Sequence, residues 1–189
     1  MQLPNDLIDP PKECSVMPFW FWNDTLDEKE IINQINDFED HGVHGFVIHP
    51  RVGLPRNLAW MSEELLNYYE IAIKEAQRRN MNVILYDEGM YPSGSSCGQV
   101  VETNPNFQCR CLAKIDHENN IPYQLKDDEK LVAIVSDQDG KLMSVIDRKV
   151  DSYIRGLHYI DEGPEEDSPA AADILNPEAV DCFINLVYK

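Results

Sequence analysis

Positive charge is what this sequence has least of: 16 Lys and Arg stand against 34 Asp and Glu, a formal net charge of −18 over 189 residues. Nucleic acid and anionic membrane surfaces reward clustered basic side chains, so neither is an expected partner. The acidic excess serves solubility first and a cation site second. Long apolar runs are also missing, and nothing approaches the ~20 residues a membrane helix needs. The opening "MQLPNDLIDPPKEC" has no basic n-region and no apolar h-region. No signal peptide is visible, and a cytoplasmic location is the default expectation. Five cysteines are present (Cys14, Cys97, Cys109, Cys111 and Cys182), but only Cys109 and Cys111 are close, in C-x-C spacing. That is neither a zinc knuckle nor a C-x-x-C redox motif, and reduced, unpaired thiols are expected. Neither a G-x-x-x-x-G-K-[ST] loop nor a G-x-S-x-G elbow occurs around Ser93, which argues against nucleotide binding and a serine hydrolase. There is no internal repeat.

What is present is a chain that is 43% apolar, enough for a real core. Residues 1–15 are a Pro-punctuated lead-in. "VMPFWFW" (16–22) reads as a buried strand. Asp24 or Thr25 then caps a helix with acids at Asp27, Glu28 and Glu30 in its first turn, and Gly42 ends it. "VHGFVIHP" (43–50) is a second strand, and "MNVILYDE" (81–88) is a third. One or two helical pieces precede the third strand. Apolar strands alternating with helices make a parallel α/β sheet with right-handed crossovers. Residues 107–160 change texture to short strands, with "DQDG" (137–140) as a hairpin turn, and read as a β-rich insertion after the third strand. Residues 161–189 hold an acidic loop and a helix capped by Asn176 with Pro177 at its first position.

Ligands of parallel α/β folds bind at the carboxyl ends of the strands. The three exits carry "FWND", "IHPRVG" and "YDEGMYPSG", polar and aromatic where a structural turn needs only Gly, Asn or Pro. Asp87 and Glu88 can serve as acid, base, nucleophile or metal ligand. They point to opposite faces of an extended strand, and Glu88, nearer the rim, is the favoured one. Trp20 and Trp22 share a face and can stack on a sugar or fill the core. Asn23 can hydrogen-bond a ligand or open the helix. His49 and Arg51 project the same way, the first able to move protons or bind metal and the second to hold an anion. Ser93 lies in a small-residue loop open to close backbone approach.

"PFWFWND", "GVHGFVIHPRVGL", "ILYDEGMYPSGSSCGQV" and "ADILNPEAVDCFI" together resemble the catalytic barrel of glycoside hydrolase family 106, the α-L-rhamnosidase group. The "YDE…PSG…G" element is the most specific part. The resemblance implies a (β/α)8 TIM-type barrel, of which about three βα units fall in 16–106. It also implies glycosidase chemistry on a rhamnoside-type sugar, with Ca2+ assisting. It places Trp20, Trp22, Asn23, His49, Arg51, Asp87 and Glu88 around the sugar, with Tyr91 and Ser93 of the same element beside them. A glycosidase needs two carboxylates, ~6.5–9.5 Å apart for inversion or ~5–5.5 Å for retention. Glu88 has no evident partner within the sequence. Three strands of a barrel leave an open edge, so self-association is also expected. Two alternatives remain: a metal-dependent hydrolase using His49, Asp87 and Glu88, and a non-catalytic carbohydrate-binding remnant.

Overall fold

A computed structural model describes residues 5–8, 10–87, 89–150, 155–156 and 169–189. After a single turn, α1 (Asn5–Ile8), come β1 (Phe19–Trp22), α2 (Glu28–Asp40), β2 (Gly45–Pro50), α3 (Glu63–Arg78) and β3 (Asn82–Ile84). The three strands run parallel in the order β1-β2-β3, with Trp20 beside Ile48 and Phe46 beside Val83. The expected α/β alternation is present, in an open sheet; the described residues close no barrel.

The two helices begin where local chemistry starts them. Asp27, not Asp24 or Thr25, caps α2: its backbone is extended and its carboxylate accepts from the Glu30 amide at 3.0 Å. Asp24 is spent on the adjacent Thr25 amide at 2.6 Å, which holds the chain off the helix. Ser62 caps α3 by accepting from Leu65 N. Arg79, just past α3, then joins the helices, reaching Glu39 of α2 and Glu75 of α3, each at 2.6 Å.

Between these helices and one face of the sheet lies the main core, with Ile31 and Ile35 of α2, Phe46 and Ile48 of β2, and Leu65, Ala72 and Ala76 of α3. The helix residues recur at spacings of four and seven, the stripe that faces a sheet. Alanines at 72 and 76 let α3 approach closely, and the large rings of Trp20, Trp22 and Phe46 fill what remains. Among the described residues the opposite face is bare of helices: Phe19 and Phe21 are 54% and 47% exposed. Parallel sheets are ordinarily covered on both faces, so this half-dressed state is a structural fact with consequences.

β3 is much shorter than the expected 81–88. Its ladder to β2 ends at Ile84, and Leu85–Asp87 leave regular pairing. Next come β4 (Met90–Tyr91), α4 (Gln99–Thr103), β5 (Arg110–Asp116), β6 (Lys130–Ser136), β7 (Leu142–Lys149), β8 (Arg155–Gly156) and α5 (Pro177–Val187). Strands β5, β7 and β6 form an antiparallel sheet in that order, and β4 pairs with β8. The DQDG segment closes the β6–β7 hairpin: Asp137 Oδ1 accepts from the Asp139 and Lys141 amides, and Gly140 takes φ +77°. At the end of the expected β-rich insertion, only Arg155 and Gly156 of residues 151–160 are described, and the acidic residues 161–167 lie outside the described residues.

The insertion leaves and returns at one neck. Gln108 bridges Ala172, Cys109 N donates to Ala171 O at 2.8 Å, and Asp173 N donates to Phe107 O at 2.7 Å. Ser95 Oγ accepts from the buried Ala172 amide at 2.9 Å, tying the neck to the small-residue loop. Helix α5 starts with Asn176 accepting from Glu178 N and Pro177 in the first turn, and buries Ala179 and Phe183 in a second core with Val100 and Phe107. No helix among the described residues is long and apolar enough to cross a membrane.

Candidate functional site

The β1–β2 register sets Phe19 beside Val47 and Phe21 beside His49, all with side chains on the bare face. The rings close into a cluster. His49 stacks on Tyr86 with centroids 4.4 Å apart and planes at 30°, and meets Phe19 and Phe21 edge-on at 5.4 and 5.2 Å. Phe19 also meets Tyr86 edge-on at 5.7 Å. Arg51, at the exit of β2, lays its guanidinium 4.9 Å over the Phe21 ring. Stacking on an aromatic face immobilises a guanidinium while leaving its in-plane N–H groups directed outward.

The loop after β2 is held against the exit of β1. Arg51 N donates to Trp22 O at 2.9 Å. Gly53 has φ +111°, and a Cβ there would collide with the carbonyl oxygen of Asn23. Only glycine allows that approach without strain. Asn23 is therefore fixed by its backbone, its side chain exposed at the rim, and it does not cap the helix.

Trp20 and Trp22 require a correction. They do share a face of β1, but it is the helix face, where they are 7% and 3% exposed. Trp20 Nε1 donates to Gln34 Oε1 at 2.7 Å, and its ring meets Trp22, Phe38 and Phe46 edge-on. Trp22 packs on Tyr69. Neither can stack on a ligand at the bare face, because alternation puts Phe19 and Phe21 there instead. Of the two expectations for this pair, stacking on a sugar and filling the core, the described geometry matches the second.

Asp87 sits at the exit of β3, and its Oδ2 accepts from the Tyr188 hydroxyl at 2.6 Å. That hydrogen bond and the carboxylate's charge hold the Tyr188 hydroxyl above its usual titration range. Glu88, the favoured carboxylate, lies outside the described residues. Its neighbour Gly89 marks a tight crossing, since a Cβ there would strike the Cys97 sulfur and the Trp60 ring. Cys97 is half-buried there, and desolvation pushes its thiol up to about 12. It stays protonated at neutral pH and is no nucleophile. All five cysteines are free thiols.

Tyr91 and Ser93 stand apart from the cluster. Tyr91 is exposed in β4, and no ring contact joins it to His49 or Tyr86 among the described residues. Ser93 opens on a cleft of about 280 Å3 that it shares with Asp173, Ile174, Val180 and Phe183, none of them on the bare sheet face. Among the described residues no three carboxylate, imidazole or thiolate side chains converge on a point.

Four residues escaped the sequence reading: Phe19, Phe21, Tyr86 and Tyr188. The first three were accessible through parity, because they share the face of His49 once the register is known. Tyr188 carries no local signal, being 101 residues from Asp87. The geometry as a whole is an aromatic floor with one imidazole, one guanidinium and one carboxylate at adjacent strand exits. No protein-family model, curated protein or solved structure matches the chain.

Proposed function

We propose that this chain is the first part of a (β/α)8-type catalytic barrel that hydrolyses glycosides, with a rhamnoside-type sugar as substrate. One observation carries this reading. The bare face of a parallel sheet collects Phe19, Phe21, His49 and Tyr86 beneath three strand exits bearing Asn23, Arg51 and Asp87. A sugar ring has an apolar C–H face and a hydroxyl rim, so an aromatic floor ringed by polar groups suits both. The floor excludes water on one side. His49 and Arg51 hold hydroxyl oxygens at the rim, and the strand-end acids supply proton transfer, with Glu88 as the leading acid or base and Asp87 as its neighbour. Tyr188 donates to Asp87 and so fixes the orientation of its carboxylate beside Glu88 in the sequence. The outer edges of β1 and β3, unpaired among the described residues, are where further strands would complete the barrel.

The test is turnover of aryl glycosides, α-L-rhamnoside first, by the protein in its longest natural form and by its Glu88→Gln and Asp87→Asn variants. The expected outcome is hydrolysis reduced at least about a hundredfold by Glu88→Gln. Turnover unchanged by both substitutions contradicts the roles given to these carboxylates. Sugar binding without any turnover would instead assign the chain as a carbohydrate-binding remnant.

A further inference from the structure

Strand β6, with sequence KLVAIVS, is at the edge of the antiparallel sheet and is the most apolar strand left open there. Leu131, Val132, Ile134 and Val135 are 47%, 55%, 51% and 42% exposed. Both faces of the strand are thus in solvent, along with its outer row of backbone groups. Such an edge is a template for another strand. The segment holds one charge, Lys130, at its start, and Asp137 follows its end.

A bulge decides how those charges are disposed. The ladder to β7 pairs Lys130 with Asp147 and Leu131 with Ile146, skips Val132, then pairs Ala133 with Val145 and Ile134 with Ser144. Simple alternation would put Lys130 and Asp137 on opposite faces. With Val132 bulged out, Lys130, Ala133, Val135 and Asp137 fall on one face, and Leu131, Ile134 and Ser136 on the other.

We infer that β6 pairs antiparallel with β6 of a second copy of this chain about a two-fold axis at Ile134. In that register Ile134 lies opposite Ile134 of the partner subunit and Ala133 opposite Val135 of the partner subunit. The bulge absorbs Val132, and Lys130 falls opposite Asp137 of the partner subunit on the same face. The two-fold axis repeats each contact, giving two Lys–Asp pairs and a continuous six-stranded sheet. The charge match selects a second copy of this strand as the occupant, in this direction. The surface is separate from the bare face of β1–β3, so the inference stands whether or not the glycosidase proposal holds.

The test is sedimentation velocity over a wide concentration range, with zero-length carbodiimide cross-linking of an equal mixture of 14N and 15N chains. A concentration-dependent dimer is expected, with a mixed-isotope cross-link between Lys130 and Asp137. Lys130→Glu, which touches no bond of the hairpin turn, weakens the dimer about tenfold. Ile134→Lys, which sets two cations against each other at the axis, abolishes it. Because Asp137 holds two turn amides, Asp137→Lys is accepted only if circular dichroism shows the native spectrum. Mixed with the Lys130→Glu chain, it restores two attractive pairs and the dimer. A monomer at every concentration overturns the inference and leaves the edge to another strand. So does a dimer that is unchanged by Lys130→Glu and Ile134→Lys and cross-linked elsewhere, such as across the bare face of β1–β3.

Discussion

The two sheets of this protein are incomplete in different ways. The parallel sheet β1–β3 has one face sealed by α2 and α3 and the other open, so alternate residues of one strand meet opposite environments: Trp20 and Trp22 are buried while Phe19 and Phe21 are half exposed. The antiparallel sheet β5–β7–β6 has a graded incompleteness, with Ser144 and Ile146 of β7 buried at its centre and β6 open on both faces. The open part of the first is an aromatic floor with polar side chains at its rim. The open part of the second is an edge with matched charges at its ends. The two uncovered apolar surfaces are therefore proposed to serve different ends, and the polar groups around them tell them apart.

The largest expected effect sharpens the contrast between the two faces of the parallel sheet. Ile35→Ala empties a fully buried site between α2 and the sheet and is expected to cost about 2–5 kcal/mol in urea unfolding. Phe21→Ala, a larger deletion on the bare face, is expected to cost under about 1.5 kcal/mol, its main loss being the Arg51 contact. Equal costs would mean the bare face is covered in solution. Next in size is Ser95→Ala at the neck of the insertion. It strands the buried Ala172 amide, for a loss of about 1–3 kcal/mol by the same measurement.

Much of this was readable from the sequence, and the failures have physical causes. The β-α-β-α-β order followed from apolar runs separated by amphipathic stretches, and the Asn176-Pro177 start of α5 from cap chemistry. Alternation also predicted that Trp20 and Trp22 share a face. It could not say which face, because both residue pairs of "FWFW" are aromatic and hydrophobicity is silent between them. The deciding fact is tertiary: the helix stripe of Ile31, Ile35 and Phe38 needs the larger rings to fill the space over it. The cap of α2 was misread because Asp24, Thr25 and Asp27 are all good caps, and the bond from Asp24 to Thr25 removes the first. The Tyr188–Asp87 contact is a product of the chain's return after the insertion, and no local pattern encodes it.

Two smaller effects probe individual contacts. The Arg78 hydrogen bonds, helped by those of Arg79, hold Glu75 at about 2 against an ordinary 4.5. A depressed carboxylate stabilises the fold fully above its unfolded value and loses that contribution as pH falls through the folded one. Glu75→Gln is therefore expected to lower the melting temperature at neutral pH. The gap to the wild type should close between about pH 4.5 and 2. A gap independent of pH would mean that the Arg79 link between the helices does not depend on the Glu75 charge. Finally, Asp87→Asn should bring the raised Tyr188 hydroxyl back toward 10 in an alkaline ultraviolet titration. No change would place Tyr188 away from Asp87 in solution.

The most direct measurement is a titration of the isotopically labelled protein with L-rhamnose, followed in the aromatic and side-chain N–H regions of the NMR spectrum. Saturable shifts at Phe19, Phe21, His49 and Tyr86, with the Trp20 and Trp22 indole signals unmoved, are the expected result. Shifts confined to the tryptophans, or none at the bare face at sugar concentrations up to about 100 mM, would contradict the assignment of that face as the sugar floor.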